Sequence, residues 1–140
     1  MTHAITSFSG EHRFLSNFWL HPVTIDAWTF PSSEHAYQAA KSASETDWLF
    51  FINPQMTPGQ AKRMGAKLAL REGWDKNRVE IMHEILKAKF SDAHMAQILI
   101  GTGDAELIEG NHWGDTFWGV CKGVGQNHLG RLLMEVRANL

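Results

Sequence analysis

The pattern of the sequence changes from strand to helix at Pro31-Ser32-Ser33-Glu34-His35-Ala36-Tyr37-Gln38-Ala39-Ala40-Lys41. A proline, a capping hydroxyl and an acidic first turn precede good helix formers, which predicts a helix over residues 33–42. Before it, apolar and polar residues alternate over residues 18–28, with turn signals at His21-Pro22 and Asp26. This alternation predicts short antiparallel strands.

Helical spacing of apolar residues continues toward the C-terminus. Helices are predicted around 47–52, from Thr57-Pro58 to Leu68, over about 76–90, over 93–100, and after the loop 123–127. Short extended pieces at 107–108 and 117–120 precede the last helix. Strands and helices do not alternate as in a doubly wound fold, so the predicted class is α+β: a mainly helical single domain over residues 1–140 with a small antiparallel sheet.

Composition narrows the class of protein and of partner. The chain has 140 residues, 44% of them hydrophobic and 20% charged, as in soluble globular domains. Thirteen Lys and Arg against fifteen Asp and Glu leave no basic excess for tracking along nucleic acid. The single cysteine, Cys121, excludes an internal disulfide and a cysteine-based zinc site and favours a cytoplasmic location. No apolar run approaches the ~18 residues of a membrane span.

The predicted helix over residues 33–42 has a polar and an alanine-rich side. The polar residues at i, i+3, i+4 and i+7 are Glu34, Tyr37, Gln38 and Lys41, and the opposite side carries Ala36, Ala39, Ala40 and Ala43. Either the polar side lines a cleft, with a carboxylate as acid or base and an amine that desolvation makes nucleophilic, or it is a solvated surface. The spacing alone leaves both interpretations open.

A second candidate region, residues 109–119, combines carboxylates, aromatic rings and glycines, as loops that approach a ligand do. Asp115 is its candidate acid. Trp113 and Trp118 are either stacking residues for a planar ligand or core anchors, and Asp115 is either an acid or a turn residue. The sequence favours neither interpretation.

The remaining features point less specifically to a site. The glycine loop 123–127 either receives a phosphate at the start of the last helix or ends in a helix cap at Asn127. Arg63 and Lys62 either bind phosphate or are solvated. The eight histidines lack H-E-x-x-H or paired Cys/His spacing, so neither a metal nor a cofactor is predicted. Cys121 is interpreted as a small apolar filler rather than a nucleophile.

Four motifs occur in order over nearly the whole chain: Phe14-Leu15-Ser16-Asn17-Phe18, Ser33 to Lys41, Ala61-Lys62-Arg63-Met64-Gly65, and Trp113-Gly114-Asp115 with Asn127-x-Leu129-Gly130-x-Leu132-Leu133-Met134-x-x-Arg137. Together they resemble the YbiA-like, or NADAR, family. The resemblance implies an N-glycosidase that hydrolyses a ribose C1–nitrogen bond. Its substrate would be a phosphoribosylamino-pyrimidine intermediate of riboflavin synthesis or ADP-ribose attached to guanine.

The resemblance and the patterns together select the site residues. The predicted catalytic residues are Glu34, Lys41 and Asp115. The predicted substrate-binding residues are Asn17, Phe18, Tyr37, Gln38, Arg63, Trp113, Gly114 and Trp118. Glu34 and Asp115 would share acid and base roles, and family use of the lysine implies that Lys41 forms a Schiff base or assists electrostatically.

The expected partner is a small phosphorylated ribosyl metabolite or, second, ADP-ribosylated guanine in nucleic acid. No membrane and no obligate protein partner is predicted, and the short chain suggests a free-standing enzyme. The alternative function is a non-catalytic module that binds ADP-ribose or a related nucleotide. An acid and an amine on one helix face favour the enzyme, since a binding module does not need both.

Overall fold

The computed structural model describes residues 3–140. Its strands are β1 Ala4–Ile5, β2 Leu20–Ile25, β3 Trp28–Ser32, β4 Glu106–Leu107, β5 Gly110–Asn111 and β6 Val120–Cys121. Its helices are a 3₁₀ helix Gly10–Leu15, then α1 Ser33–Ala40, α2 Glu45–Phe51, α3 Pro58–Gly65, α4 Trp74–Lys89, α5 Ala93–Ile100 and α6 His128–Ala138. The α+β class, mainly helical with small sheets, is confirmed.

The strands of residues 3–140 form three separate pairs. The pair β2–β3 is antiparallel, as predicted for the N-terminal third, whereas β1–β4 and β5–β6 are parallel. The parallel pairs join segments far apart in the sequence, which local alternation does not reveal. No helix in this part of the chain is both long and apolar enough to span a membrane.

The chain divides into two units by its contacts, residues 17–89 and residues up to 16 with 90–140. In the first unit, β2 and β3 form a hairpin whose turn begins at Asp26, in the left-handed region with φ 53°. Helix α1 follows β3 directly because the Ser32 hydroxyl accepts the His35 backbone N–H at 3.2 Å. The predicted capping hydroxyl is therefore confirmed.

Helix α1 is the central element of the 17–89 unit. It contacts both strands of the hairpin and the helices α2, α3 and α4. The core around it consists of Val23, Phe30, Ala36, Tyr37, Ala39, Phe51, Ala61, Trp74, Met82, Ile85 and Leu86. With neighbours on every side, α1 has no solvated face, although only eight residues long.

The second unit packs α5 and α6 with the short parallel pairs. Helix α6 contacts β4 and α5. The apolar stripe of α6 is buried and comprises Leu129, Leu132, Leu133 and Val136. The Asp92 side chain caps α5 by accepting the Met95 N–H at 3.0 Å. A single domain over residues 1–140 stays a prediction.

Candidate active site

The polar face of α1, defined as Glu34, Tyr37, Gln38 and Lys41, is buried. The exposed fractions of Glu34, Tyr37 and Gln38 are 7%, 6% and 4%, and Lys41 is half-buried. The solvated interpretation is therefore wrong. Because buried polar groups are costly unless bonded, a helix that buries so many of them points to a site rather than a surface.

The Glu34 carboxylate is oriented by the next turn of its own helix. The Gln38 side-chain N–H donates to Glu34 Oε2 at 2.6 Å. The backbone N–H of Glu34 donates to the Asn17 carbonyl at 3.0 Å, which ties the start of α1 to the chain before β2. Glu34 also lies in the first turn, where the helix dipole favours negative charge. The carboxylate thus has a set direction in a water-poor environment.

The other end of the Gln38 amide has a different role. Its Oε1 is buried and has no hydrogen-bond partner among residues 3–140. Helix α3 approaches this amide at Gly65, where a Cβ would collide with Oε1 and with Cδ and Cβ of Gln38. Gly65 thus lets α3 pass close enough to fix the amide. An unpaired buried acceptor costs about 1–3 kcal/mol, which a ligand donor would recover.

Burial lowers the pKa of the Lys41 ammonium below its ordinary value of 10.5. The nearby Glu34 carboxylate raises the pKa, while the positive charges of Lys62 and Arg78 lower it further. Nζ lies 5.9 Å from the centroid of the Tyr37 ring, and the centroids of the Tyr37 and Trp74 rings are 5.2 Å apart. A lower pKa increases the fraction of free amine, which is the nucleophilic form.

Asn17 and Phe18 lie at the start of α1 but differ in exposure. The Ser33 hydroxyl donates to Asn17 Oδ1 at 2.8 Å, and the Asn17 amide donates to the Met82 sulfur at 3.6 Å. Asn17 is thus buried and bonded within the protein, whereas Phe18 is 45% exposed. Asn17 thus supports the start of α1, and the binding role of Phe18 stays a prediction.

His35 follows Glu34 on α1 and is fully buried. Its Nε2 contacts the Met56 carbonyl at 2.6 Å, and Nδ1 contacts the Ser32 hydroxyl at 2.6 Å. Burial lowers its pKa, and the bond to Met56 opposes this. A carbonyl only accepts, so the neutral ring has its proton on Nε2, and Nδ1 accepts a hydrogen bond from the Ser32 hydroxyl. His35 links β3, α1 and the chain before α3.

The alanine side of α1 lines a cavity of about 290 Å³ on the opposite side from Glu34. Ala36, Ala39 and Ala40 form one wall, and Trp28 and Trp48 form part of another. The two indole rings meet edge to face with centroids 5.4 Å apart. Ala36 and Ala39 are also part of the buried core, so the alanine side both packs against neighbours and lines this cavity.

Arg63 and Lys62 are exposed on α3. The charge of Lys62 acts on Lys41, which places the two amines in the same region of the 17–89 unit. Their exposure leaves both interpretations, phosphate binding and solvated surface, compatible with the structure. The structure brings together Asn17, Glu34, Tyr37, Gln38 and Lys41, which lie on or beside α1.

Four predicted residues, Trp113, Gly114, Asp115 and Trp118, belong to the other unit. Asp115 Oδ1 accepts the backbone N–H groups of Phe117 at 3.1 Å and Trp118 at 2.9 Å. The Asn111 side chain binds both backbone groups of Asp115, at 3.0 and 2.9 Å. Asp115 therefore holds this turn. Its role as an acid stays a prediction.

Trp113 and Trp118 differ in burial. Trp113 is 57% exposed, so its interpretation as a core anchor is wrong. Gly114, with φ 87°, forms the turn that follows it. Trp118 is partly buried, and its ring meets Phe117 edge to face at 4.9 Å. Trp113 is thus the ring of this loop that a planar ligand can reach.

The phosphate interpretation of the glycine loop 123–127 does not fit the start of α6. The N–H groups of His128 and Leu129 donate to the carbonyls of Phe117 and Trp118 at 3.2 and 2.9 Å. Asn127 precedes the helix with φ 55°, but its side chain makes no capping bond. Instead, its amide bonds Glu109 N–H and the Leu107 carbonyl, each at 2.9 Å. The predicted cap is therefore a tie between α6 and β4.

Arg71 and Arg78 were not among the predicted site residues. Arg78 acts on the pKa of Lys41 through its charge, and Arg71 donates to the carbonyls of Ala40 and Ser42 at the end of α1. Neither arginine has a sequence spacing that relates it to α1. The helical periodicity of α4 places Arg78 on the same side as Met82 and Ile85, which are buried, but it does not indicate a neighbour.

The chain is similar to known proteins in both sequence and structure. The family model for the NADAR domain matches residues 6–140. N-glycosidase YbiA of Escherichia coli (strain K12) is 36% identical over 138 residues, which span 96% of this chain and 85% of that protein. Riboflavin biosynthesis protein VVA0006 of Vibrio vulnificus is 38% identical over 93% of this chain and 36% of its own length. The NMR structure of E. coli YbiA matches with a TM-score of 0.85 and 33% identity, over 99% of this chain and 86% of that one. This chain belongs to the NADAR family.

Proposed function

We propose that this protein is an N-glycosidase that hydrolyses a ribosyl C1–nitrogen bond, with Glu34 and Lys41 as its reacting groups. Membership of the NADAR family and the likeness to proteins named N-glycosidase support this reaction class. The observation that carries the assignment of residues is the burial of a carboxylate and an amine on one face of α1. A module that only binds nucleotides gains nothing from that burial.

The chemistry of the bond explains the carboxylate. As the bond breaks, positive charge develops on C1 and the ring oxygen, and negative charge develops on the departing base. A Glu34 carboxylate held by Gln38 stabilises the positive charge without reorganising, and it can direct a water molecule as a base. Support of this kind is worth roughly 10²–10⁴-fold in rate.

Lys41 supplies a covalent route. With the sugar ring open, the free amine adds to C1, and the bond from C1 to the base nitrogen breaks. That nitrogen keeps the electron pair and takes a proton, and water then releases the sugar from the Lys41 imine. The lowered pKa of Lys41 favours the free amine that this route requires, whereas electrostatic assistance uses the charged form.

The substrate we propose is a small phosphorylated ribosylamino-pyrimidine. The Vibrio vulnificus relative, named a riboflavin biosynthesis protein, supports this choice, as does the lack of basic excess. ADP-ribosylated guanine is the second candidate, since a single modified base needs few phosphate contacts. Exposed Arg63 is the proposed phosphate contact, and exposed Phe18 and Trp113 are the proposed stacking residues. A cytoplasmic location belongs to the same proposal.

The test is an assay of wild type, Glu34→Gln and Lys41→Met on both substrates, with borohydride in parallel reactions. We expect wild type to release base from the ribosylamino-pyrimidine and each variant to lose roughly 10²–10⁴-fold in kcat. Borohydride should leave a sugar adduct on Lys41, located by mass spectrometry. Turnover without an adduct would favour electrostatic assistance.

Matched controls are Glu72→Gln and Lys67→Met, which make the same changes at exposed positions of the 17–89 unit. Both should keep wild-type rates. Tight binding of either substrate without any release of base by the wild type would establish the binding module instead.

A further inference from the structure

We propose that Arg71 is a positioning residue for Lys41, because it binds the three consecutive main-chain carbonyls around that residue. The inference rests on the proposed function, since it concerns the placement of the reacting amine. Arg71 lies 30 positions beyond Lys41, between α3 and α4.

The end of α1 needs outside donors. The last carbonyls of a helix have no partner within it, and a glycine in the left-handed conformation or a basic last turn commonly supplies one. Helix α1 has neither: Lys41 follows with φ −61°, and no basic residue lies in the last turn. The carbonyls of Gln38 and Ala39 accept the N–H groups of Lys41 and Ser42 at 3.2 and 3.1 Å. The carbonyls of Ala40, Lys41 and Ser42 still need donors from elsewhere in the chain.

Arg71 fills all three positions. Its Nε donates to the Ala40 carbonyl at 2.7 Å, its backbone N–H to the Lys41 carbonyl at 2.6 Å, and its Nη2 to the Ser42 carbonyl at 2.9 Å. The guanidinium also places a positive charge at the negative end of the helix dipole. The indole N–H of Trp48 is a second donor to Ser42, at 2.9 Å.

The bonds fix the backbone on both sides of Lys41 and hence the direction in which its side chain leaves α1. Arg71 also lines the cavity on the alanine side of α1, away from Glu34. It therefore acts on Lys41 through the main chain rather than by touching the substrate. A misplacement of about 1 Å at a reacting group can cost on the order of 10²-fold in rate.

A lysine at position 71 could not bind the carbonyls of Ala40 and Ser42 at the same time. The guanidinium holds its donors in a rigid planar fork, so two nitrogens reach carbonyls two residues apart. An ammonium at the same place keeps the charge and reaches one of them. Arg71→Lys and Arg71→Gln therefore remove part of the side-chain support while the backbone bond to Lys41 stays.

The experiment compares wild type, Arg71→Lys, Arg71→Gln, Trp48→Phe and the exposed control Arg131→Lys. Thermal melts identify the assay temperature at which each is folded. Steady-state kinetics on the ribosylamino-pyrimidine then give kcat and KM. The pKa of Lys41 is measured by NMR on ¹³C-methylated lysines, with Lys41→Arg to assign its signal.

We expect kcat of folded Arg71→Lys and Arg71→Gln to fall about tenfold or more, with KM within about threefold, because the amine is misplaced rather than the substrate released. The pKa of Lys41 should rise toward its ordinary value as the side chain gains access to water. The kcat of Trp48→Phe, which leaves Arg71 in place, should stay within about threefold of the wild-type value. The kcat of Arg131→Lys should equal that of wild type.

Unchanged kcat and unchanged Lys41 pKa in the folded Arg71 variants would overturn the inference. An equal loss in Trp48→Phe would also overturn it, since general packing at the end of α1 would then be the cause. Absence of turnover by the wild type would contradict the proposed function alone. In that case the NMR titration of Lys41 still decides whether Arg71 positions it.

Discussion

Helix α1 and the loop 109–119 both contain carboxylates and aromatic rings, but these side chains have opposite environments in the two regions. In α1, the carboxylate of Glu34 is buried, and elements distant in the sequence surround it. In the loop, the side chain of Asp115 bonds main-chain groups two and three positions away, and Trp113 is exposed. Burial changes the chemistry of a group, whereas a local turn only changes its direction. We therefore propose that the buried face of α1 carries the reaction, whereas the roles of Asp115 and Trp113 in the loop stay predictions.

Lys89 provides the sharpest test of what burial does in this fold. It is fully buried at the end of α4, and burial lowers its pKa from 10.5 to about 7. Between these values the folded protein has lost the proton that the unfolded chain still holds, so the free energy of unfolding rises with pH. The slope is up to about 1.4 kcal/mol per pH unit between pH 7 and 10. Below pH 7 this contribution is flat.

Urea unfolding of wild type and Lys89→Met at several pH values measures the slope. The variant should lose most of the rise between pH 7 and 10, whereas Lys76→Met, at an exposed position of the same helix, should keep it. Equal slopes in wild type and Lys89→Met would show that burial does not shift this lysine.

Gly65→Ala tests the contact that fixes the polar face of α1. The added Cβ collides with the Gln38 amide, so α3 must move away from α1. We expect a loss of about 1–3 kcal/mol in the free energy of unfolding, together with lower activity as Gln38 leaves Glu34. Gly59→Ala is the matched control on the same helix, because its Cβ meets only ordinary contacts at 3.6 and 4.0 Å. Unchanged stability and activity in Gly65→Ala would show that Gly65 does not hold the Gln38 amide in place.

Variants of Asp115 test whether this side chain stabilises the turn in the loop 109–119. Asp115→Ala removes the acceptor of two backbone N–H groups and should cost about 1 kcal/mol, seen as a lower denaturation midpoint. Asp115→Asn retains an oxygen at this place and should be near wild type in stability. If both variants lost the same stability, charge rather than turn geometry would explain the role of Asp115.

Trp113→Ala should have the smallest effect on the fold. The ring is 57% exposed, so the change in the free energy of unfolding should lie within about 0.5 kcal/mol. Loss of a stacked base should instead raise KM with little change in kcat. Unaltered kinetics on the ribosylamino-pyrimidine would exclude Trp113 as the stacking residue.

Local signals in the sequence predicted the helices well. The Ser32 cap of α1, the Thr57-Pro58 start of α3 and the helical spacing of apolar residues in α6 all depend on neighbours within one or two turns. The family and the reaction class came from four motifs in register, and the comparisons confirm both. Such features can be predicted without knowledge of tertiary contacts.

Features set by distant contacts escaped prediction. The burial of the polar face of α1 depends on five other elements, and the parallel pair β1–β4 joins residues about 100 positions apart. Arg71 reaches α1 from 29 and 31 positions away, with no periodicity to indicate it. The assignments of Glu34, Lys41 and the other site residues stay proposals, and the turn at Asp115 was one of two interpretations left open.

The claim that the buried face of α1 carries the reaction is tested most directly by comparing two variants, Glu34→Gln and Asp115→Asn. Their kcat values on the ribosylamino-pyrimidine are measured at one pH, with both variants folded. We expect a loss of roughly 10²–10⁴-fold for Glu34→Gln and less than about tenfold for Asp115→Asn. Equal losses, or a greater loss for Asp115→Asn, would contradict the claim that the buried face of α1 carries the reaction.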